Sequence, residues 1–153
     1  MLTPNLDDTL SEYLDARSLE ALWFHHCQTM AGFGFDRMLY GSTHYRTPNS
    51  LGDPSDFLIL SNHPPEYTDE FMGKGMFMKG PMTKWALENE GVGSWRIFQD
   101  KYGSGECDPD TMSVVAFNYS MNVTAGYTIS FKSLSHRIKS AIGLCTQVGL
   151  TQD

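Results

Sequence analysis

The chain has 153 residues, 41% of them hydrophobic and 19% charged, and its 18 acidic against 11 basic side chains give a formal charge of −7. That length is one ordinary domain, able to bury roughly 70% of the surface its unfolded chain exposes, and no apolar run is long enough to cross a bilayer. The acidic balance argues against a phosphate-tracking surface, because nucleic-acid affinity comes largely from Lys and Arg.

The first residues, "MLTPNLDDTLSEYLDARS", are acidic and lack the basic and apolar regions of a secretory leader, so the expected location is the cytoplasm. Residues 5 to 15 predict a short helix. In "SLEALWFHHCQTMAGFGF" the positions Leu19, Leu22, Trp23, His26, Met30 and Phe33 recur at three and four, predicting a helix over about 18–31 stopped by Gly32 and Gly34. "FDRMLYGSTHY" predicts a strand, the Pro/Asn/Gly-rich "RTPNSLGDPSD" a loop, and "FLILS" a second strand paired with the first. Residues 64 to 90 predict two helical pieces broken at Gly73, Gly75 and Gly80-Pro81, and "WRIFQ" a short strand. After the loop "GSGECDPD", Asp108 or Asp110 is expected to cap a helix over "TMSVVAFNYSM", with Pro109 in its first turn. "GYTISF" and "AIGLC" predict two last strands joined through "KSLSHRIKS". Cys27, Cys107 and Cys145 are odd in number, far apart and in no CxxC spacing, which suits free thiols better than disulfides or zinc.

Five strands and about five helices in this order predict one α+β domain over 1–153, an α-β-α sandwich with a five-stranded antiparallel sheet flanked by helices on both faces. Such a layout leaves room for a ligand between one helical layer and the sheet, lined by alternate strand residues such as Leu39 and Gly41 and by helix-borne aromatics. The stretch "PPEYTDEFMGKGMFMKGPMTKWALENEGVGSW", residues 64 to 95, gathers aromatics where few aliphatic residues could make a core.

The spacing of Tyr67, Phe71, Gly80-Pro81 and Trp95, followed by Gly126 in "AGYTISF", resembles the autoinducer-binding domain of LuxR-type quorum-sensing regulators. Its pattern is Trp-x3-Tyr-x8-Asp-Pro-x13-Trp ahead of a Gly-x-Thr-Ile strand, and the intervals agree over a resemblance that runs from about residue 18 to 148. The resemblance implies a pocket for an N-acyl homoserine lactone, a small-molecule signal with an apolar tail and a polar head. The family's first Trp donates to the lactone carbonyl, the Tyr to the acyl carbonyl, the Asp accepts from the amide N–H, and the later Trp packs on the lactone ring. Those positions are Tyr67, Phe71, Gly80 and Trp95 here, with Pro81 and Gly126 retained. The resemblance further implies a homodimer, no cofactor, and DNA contact only through a C-terminal helix-turn-helix domain that lies beyond "GLTQD" and is expected to be absent.

Three of the four polar positions depart from the pattern. Tyr67 keeps a donor with a different reach, and Phe71 has no hydroxyl. Gly80 has no carboxylate, and losing a hydrogen bond to a charged group predicts amide recognition weaker by roughly 10- to 100-fold. Other readings of these residues are plainer. Tyr67, Phe71 and Trp85 stand at helical intervals and suit a core, Trp85 most of all, and Met72, Met76, Met78 and Met82 read as adaptable filling. His25 and His26 point different ways on one helix, one inward and one solvated, with no third ligand for a metal. The serines near glycine lack G-x-S-x-G, and no enzyme constellation is present. Two functions therefore stand from the sequence: a ligand-binding sensor domain, or a dimerisation module that keeps the fold with its pocket filled.

Overall fold

A computed structural model describes residues 5–150. Its elements in chain order are α1 (Leu6–Asp15), α2 (Leu19–Gly32), β1 (Phe35–Ser42), β2 (Leu58–Ser61), α3 (Pro65–Thr68), α4 (Pro81–Glu88), β3 (Gly91–Ser94), α5 (Arg96–Ser104), α6 (Pro109–Ser120), β4 (Gly126–Ser130) and β5 (Ser140–Thr146). The five strands form one antiparallel sheet in the order β2-β1-β5-β4-β3, with β1 paired to β2 and β4 to β5 as the sequence predicts.

Local chemistry sets the helix ends. The side chains of Asn5, Ser18 and Asp108 accept from Asp7, Ala21 and Thr111 amides, satisfying donors that the first turns of α1, α2 and α6 leave open. Of the two expected caps, Asp108 is the one used, with Pro109 in the first turn. α2 stops where Gly34 takes φ +95, a conformation that costs glycine nothing.

Strand alternation assigns the two faces of the sheet. Met38 of β1 and Ile142 and Leu144 of β5 point to one face, where Trp23, Cys27 and Met30 of α2 pack on them. Burying an aliphatic side chain of this size stabilises the fold by roughly 1.5–3 kcal/mol. The inward, half-buried stripe of α2 is therefore Trp23, His26, Cys27 and Met30; of the predicted set Trp23, His26 and Met30 face inward, whereas Leu19, Leu22 and Phe33 are exposed. His26 faces inward and its Nδ1 lies 3.0 Å from the Tyr13 hydroxyl, whereas His25 sits 3.8 Å from Glu12 at the surface. On the opposite face Cys145 packs with Tyr67 and Val123 against Phe71, Trp95 and Phe117. Helices thus cover both faces. Arg37 pins the far edge, donating to the carbonyls of Asn122 at 2.9 Å and Thr146 at 2.8 Å.

Two predicted elements are corrected. "WRIFQ" is no strand: the third strand is Gly91–Ser94, just before it, and Arg96–Ser104 is helix α5. The apolar alternation of Trp95 and Ile97 imitates a strand, but the positions turned inward are Trp95, Phe98, Gln99 and Tyr102, a helical spacing, and Ile97 is exposed. The segment 64–90 has more than two pieces. α3 runs on through a π turn at Asp69–Gly73, Gly75 takes φ +73, and a 3-10 turn at Met76–Lys79 precedes α4.

The closest packing in the sheet is at Gly126. A Cβ there would sit 2.0 Å from the Leu144 carbonyl oxygen and 3.1 Å from the Trp95 ring. Backbone cannot retreat as a flexible side chain does, so Gly126→Ala is expected to lower stability by about 3 kcal/mol. Thermal unfolding of the two proteins measures this, and a midpoint equal to the parent's would show that the strands separate easily.

Candidate functional site

A cavity of about 220 Å³ lies between the second face of the sheet and the layer formed by α3, α4, α5 and α6. It is slightly smaller than the ~300–1,000 Å³ usual for small-molecule sites. Its floor is built from residues of one alternation: Leu39 and Gly41 of β1, Ile59 of β2, Thr128 of β4, Ala141 and Gly143 of β5. These are mutual neighbours across the sheet, since Leu39 and Thr128 both pair with Gly143 and Gly41 pairs with Ile59 and Ala141. The small side chains recess the floor.

Trp95 stands where β3 gives way to α5. Its amide donates to the Gly126 carbonyl at 3.1 Å as a last rung of the ladder, while its own carbonyl starts the helix by accepting from Phe98 and Gln99. The ring lies against the sheet over Gly126 and Gly143, and its Nε1 donates to Thr128 Oγ1 at 2.9 Å. Tyr67 is buried in a stack: His63 at 4.3 Å, Phe71 at 5.3 Å and Phe117 at 5.5 Å between centroids, all within 20° of parallel. Its hydroxyl donates to Asn118 Oδ1 of α6 at 2.9 Å, and burial holds the phenol far above its ordinary pKa.

Of the residues singled out in the sequence, Leu39, Gly41, Tyr67, Phe71, Gly80, Pro81 and Trp95 all reach the wall of this cavity. Gly126 does not; it lies beneath Trp95 and sets the depth of the ring. Trp85 packs outside the cavity against Gly93, with Met72 and Met82 on the wall and Met78 exposed. Gly80 is the N-cap of α4, and Pro81 fills the first position, where a missing N–H costs nothing.

The autoinducer binding domain model matches residues 18–150. The chain belongs to the autoinducer binding domain family. Its fold is similar to that of the N-acylhomoserine lactone-dependent LuxR family transcriptional factor CepR2 from Burkholderia cenocepacia, with a TM-score of 0.71 and 17% identity over 96% of this chain and 78% of that one. It is also similar to Escherichia coli SdiA, with a TM-score of 0.73 and 10% identity over 96% of this chain and 56% of that one. The solution structure of SdiA 1–171 gives 0.64 and 11% over 92% and 74%. No curated protein sequence matches the chain.

In this autoinducer-binding domain the departures at Tyr67 and Gly80 have structural counterparts. Tyr67 gives its single proton to Asn118. At Gly80 a Cβ would meet the Phe77 carbonyl oxygen at 3.1 Å and the Thr83 hydroxyl at 3.3 Å, so any side chain there would need these neighbours to give by a few tenths of an ångström. The sequence reading missed His63, Thr83, Asn118 and Thr128, all on the wall. Thr128 was legible, because alternation from Gly126 places it on the same face; Asn118 was not, since its partner lies 51 residues away.

His63 is the one buried side chain among the described residues whose nitrogen, Nδ1, has no hydrogen-bond partner. Asn62 fixes the chain just ahead of it, accepting from the Met38 amide at 2.6 Å and donating to the Asp36 carbonyl at 3.0 Å. Burial, with Arg37 nearby and against a smaller pull from Asp36, lowers the His63 pKa from 6.5 to about 4. A depressed histidine pKa means that the unfolded chain binds the proton first. This contribution is complete above pH 6.5 and is lost as pH falls from there toward about 4, up to roughly 3 kcal/mol. His63→Phe removes the titrating group while keeping the stack, so it is expected to flatten the stability profile over that window in denaturant unfolding at stepped pH. Equal slopes for parent and variant would mean that His63 charges freely in the fold.

Proposed function

We propose that this chain is the signal-sensing domain of a LuxR-type regulator and that its cavity takes a small, largely apolar signal, an acyl homoserine lactone or a related molecule. The observation that carries the reading is the recessed, mainly apolar cavity with a few neutral polar groups set in its wall, in a chain of the autoinducer binding domain family. Glycine and alanine on the floor leave space where ordinary strand residues would fill the core. The dependence of CepR2 on an N-acylhomoserine lactone supports the same ligand class. DNA recognition in such a regulator belongs to another domain, and the sensor is proposed to act as a homodimer. In support, Leu6, Leu10 and Leu14 of α1 form an exposed stripe at four-residue intervals that a second copy would cover.

The test is occupancy. Native mass spectrometry of the chain expressed with and without a panel of acyl homoserine lactones is expected to show one retained small molecule per chain. Gly41→Val provides the control, since a Cβ at Gly41 meets only Ile59 Cδ1 at an ordinary 3.5 Å and the added methyls fill the floor. The variant is expected to keep its unfolding midpoint and to lose retention by about ten-fold or more, the effect of ~1.4 kcal/mol of lost binding. A chain that retains nothing under any condition, with Gly41→Val indistinguishable from the parent, would favour the filled-pocket dimerisation module instead.

A further inference from the structure

Away from the cavity the chain carries two surfaces of opposite character. The first is the outer side of α1. Half-buried Thr9, Tyr13 and Ala16 mark its inner side, and the Tyr13 hydroxyl, 3.0 Å from His26 Nδ1, holds it on α2. At about 100° per residue, Leu6, Leu10 and Leu14 then form one exposed stripe, bordered by Asp7 and, further round, by Asp8 and Asp15. The helix has no Lys or Arg. The second surface is a cleft of about 670 Å³ between the loop that follows β1 and the β4–β5 connection. Arg46, Pro48, Leu134, His136 and Arg137 line it, and no carboxylate does. Its two walls are tied together, since the Arg46 amide and the Thr43 hydroxyl both donate to the Arg137 carbonyl, at 2.9 and 3.1 Å. Neither arginine side chain has a hydrogen-bond or ion-pair partner among the described residues, and Leu134 is 94% exposed.

We propose that α1 of one copy of this chain docks in this cleft of a second copy, its leucine stripe against Leu134 and Pro48 and its carboxylates facing Arg46 and Arg137, and that a two-fold pair makes the contact twice. The inference rests on the homodimer reading above and names the surfaces that the dimer uses. Each half supplies what the other lacks, an acidic apolar ridge on one side and a basic apolar cleft on the other, and the chain carries both. The leucines contribute the buried area. The charges set the register, because an exposed ion pair contributes little by itself whereas like charges facing each other are strongly unfavourable. Helix and cleft are both held in place before they meet, so little ordering is lost on docking. A polyanion such as DNA would meet the same arginines, but it would leave the leucines bare and would face the acidic excess of the chain.

Sedimentation equilibrium of the purified chain measures the dimer constant. The parent is expected to dimerise, and to do so several-fold more weakly as salt rises from about 0.05 M to about 0.5 M. Asp15→Arg and Arg137→Glu should each weaken the dimer by about ten-fold or more, because the reversed charge stands at both contacts of the pair. Mixed in equal amounts, the two variants should associate to within about 3-fold of the parent, since in the mixed pair one contact is parental and the other has both its charges exchanged. Leu14→Gln and Leu134→Ser, at side chains 86% and 94% exposed, should also weaken the dimer while leaving the circular dichroism unchanged. None of these residues lines the signal cavity, so retention of a small molecule in native mass spectrometry is expected to stay as in the parent, and the sensor reading stands or falls separately. A dimer indifferent to Arg137→Glu and Leu134→Ser, or a mixture no tighter than its components, overturns the docking and leaves the homodimer standing. A chain that stays monomeric at high concentration removes the homodimer and the docking together. A monomer that binds duplex DNA through Arg137 assigns the cleft to a polyanion and overturns the inference.

Discussion

The site depends on one close contact, that of the Trp95 ring with the backbone of the sheet. Gly126 and Gly143 offer no Cβ to hold the indole away, so it lies down on the strands and its N–H reaches Thr128. Trp85 repeats the device one strand further on, over Gly93. Two large aromatics anchored at the β3–β4 edge carry α4 and α5 on the sheet there. Toward β1 and β5 the floor includes Gly41, Ala141 and Gly143 beside Leu39, and these three carry little or no side chain to fill it. The cavity is what remains between a layer that is propped at one side and a floor that is recessed at the other.

Polar groups in this interior are satisfied mainly by carbonyls. Arg37 donates to the Asn122 and Thr146 carbonyls, and Lys139, only 7% exposed, donates to those of Asn89 and Phe131. Asn89 ends α4, and Ser130 Oγ lies 2.7 Å from both the Ala86 and the Asn89 carbonyl oxygens, which share its single proton, so the negative end of that helix receives the lysine's charge and the serine's proton together. Burial lowers the Lys139 pKa even so. The acidic excess of the chain therefore lies away from the cavity, and the cavity is a neutral to weakly positive, donor-bearing space within a protein whose formal charge is −7.

What the sequence disclosed follows the range of the interactions involved. The β1–β2 hairpin, the Asp108-Pro109 start of α6 and the β4–β5 pair are written in local patterns of alternation, capping and turn residues, and all are found. The inward stripe of α2 was misjudged because apolar residues surround that helix, and periodicity cannot choose a face when nearly every face qualifies. "WRIFQ" misled for the opposite reason, with too few residues to separate a period of two from one of 3.6. In the site, the aromatic spacing located Tyr67, Phe71 and Trp95, but not what they hold. Pairing of Tyr67 with Asn118 and of Trp95 with Thr128 spans 51 and 33 residues, and only the packed layers bring those partners together.

A recessed floor has an energetic consequence for the whole domain. Wall atoms facing empty space forgo the dispersion contacts that a filled core would supply, so the helical layer above the cavity lacks part of the packing a filled site would give it. The layer is also locally irregular, with a π turn, a left-handed glycine and a 3-10 turn between α3 and α4. Any molecule that binds only the folded form adds RT ln(1 + [L]/Kd), about 2.7 kcal/mol at a hundred times its Kd, and that gain falls on the layer it touches. Occupancy and folding of this layer are then linked, because a molecule in the cavity supplies the contacts that its empty space forgoes.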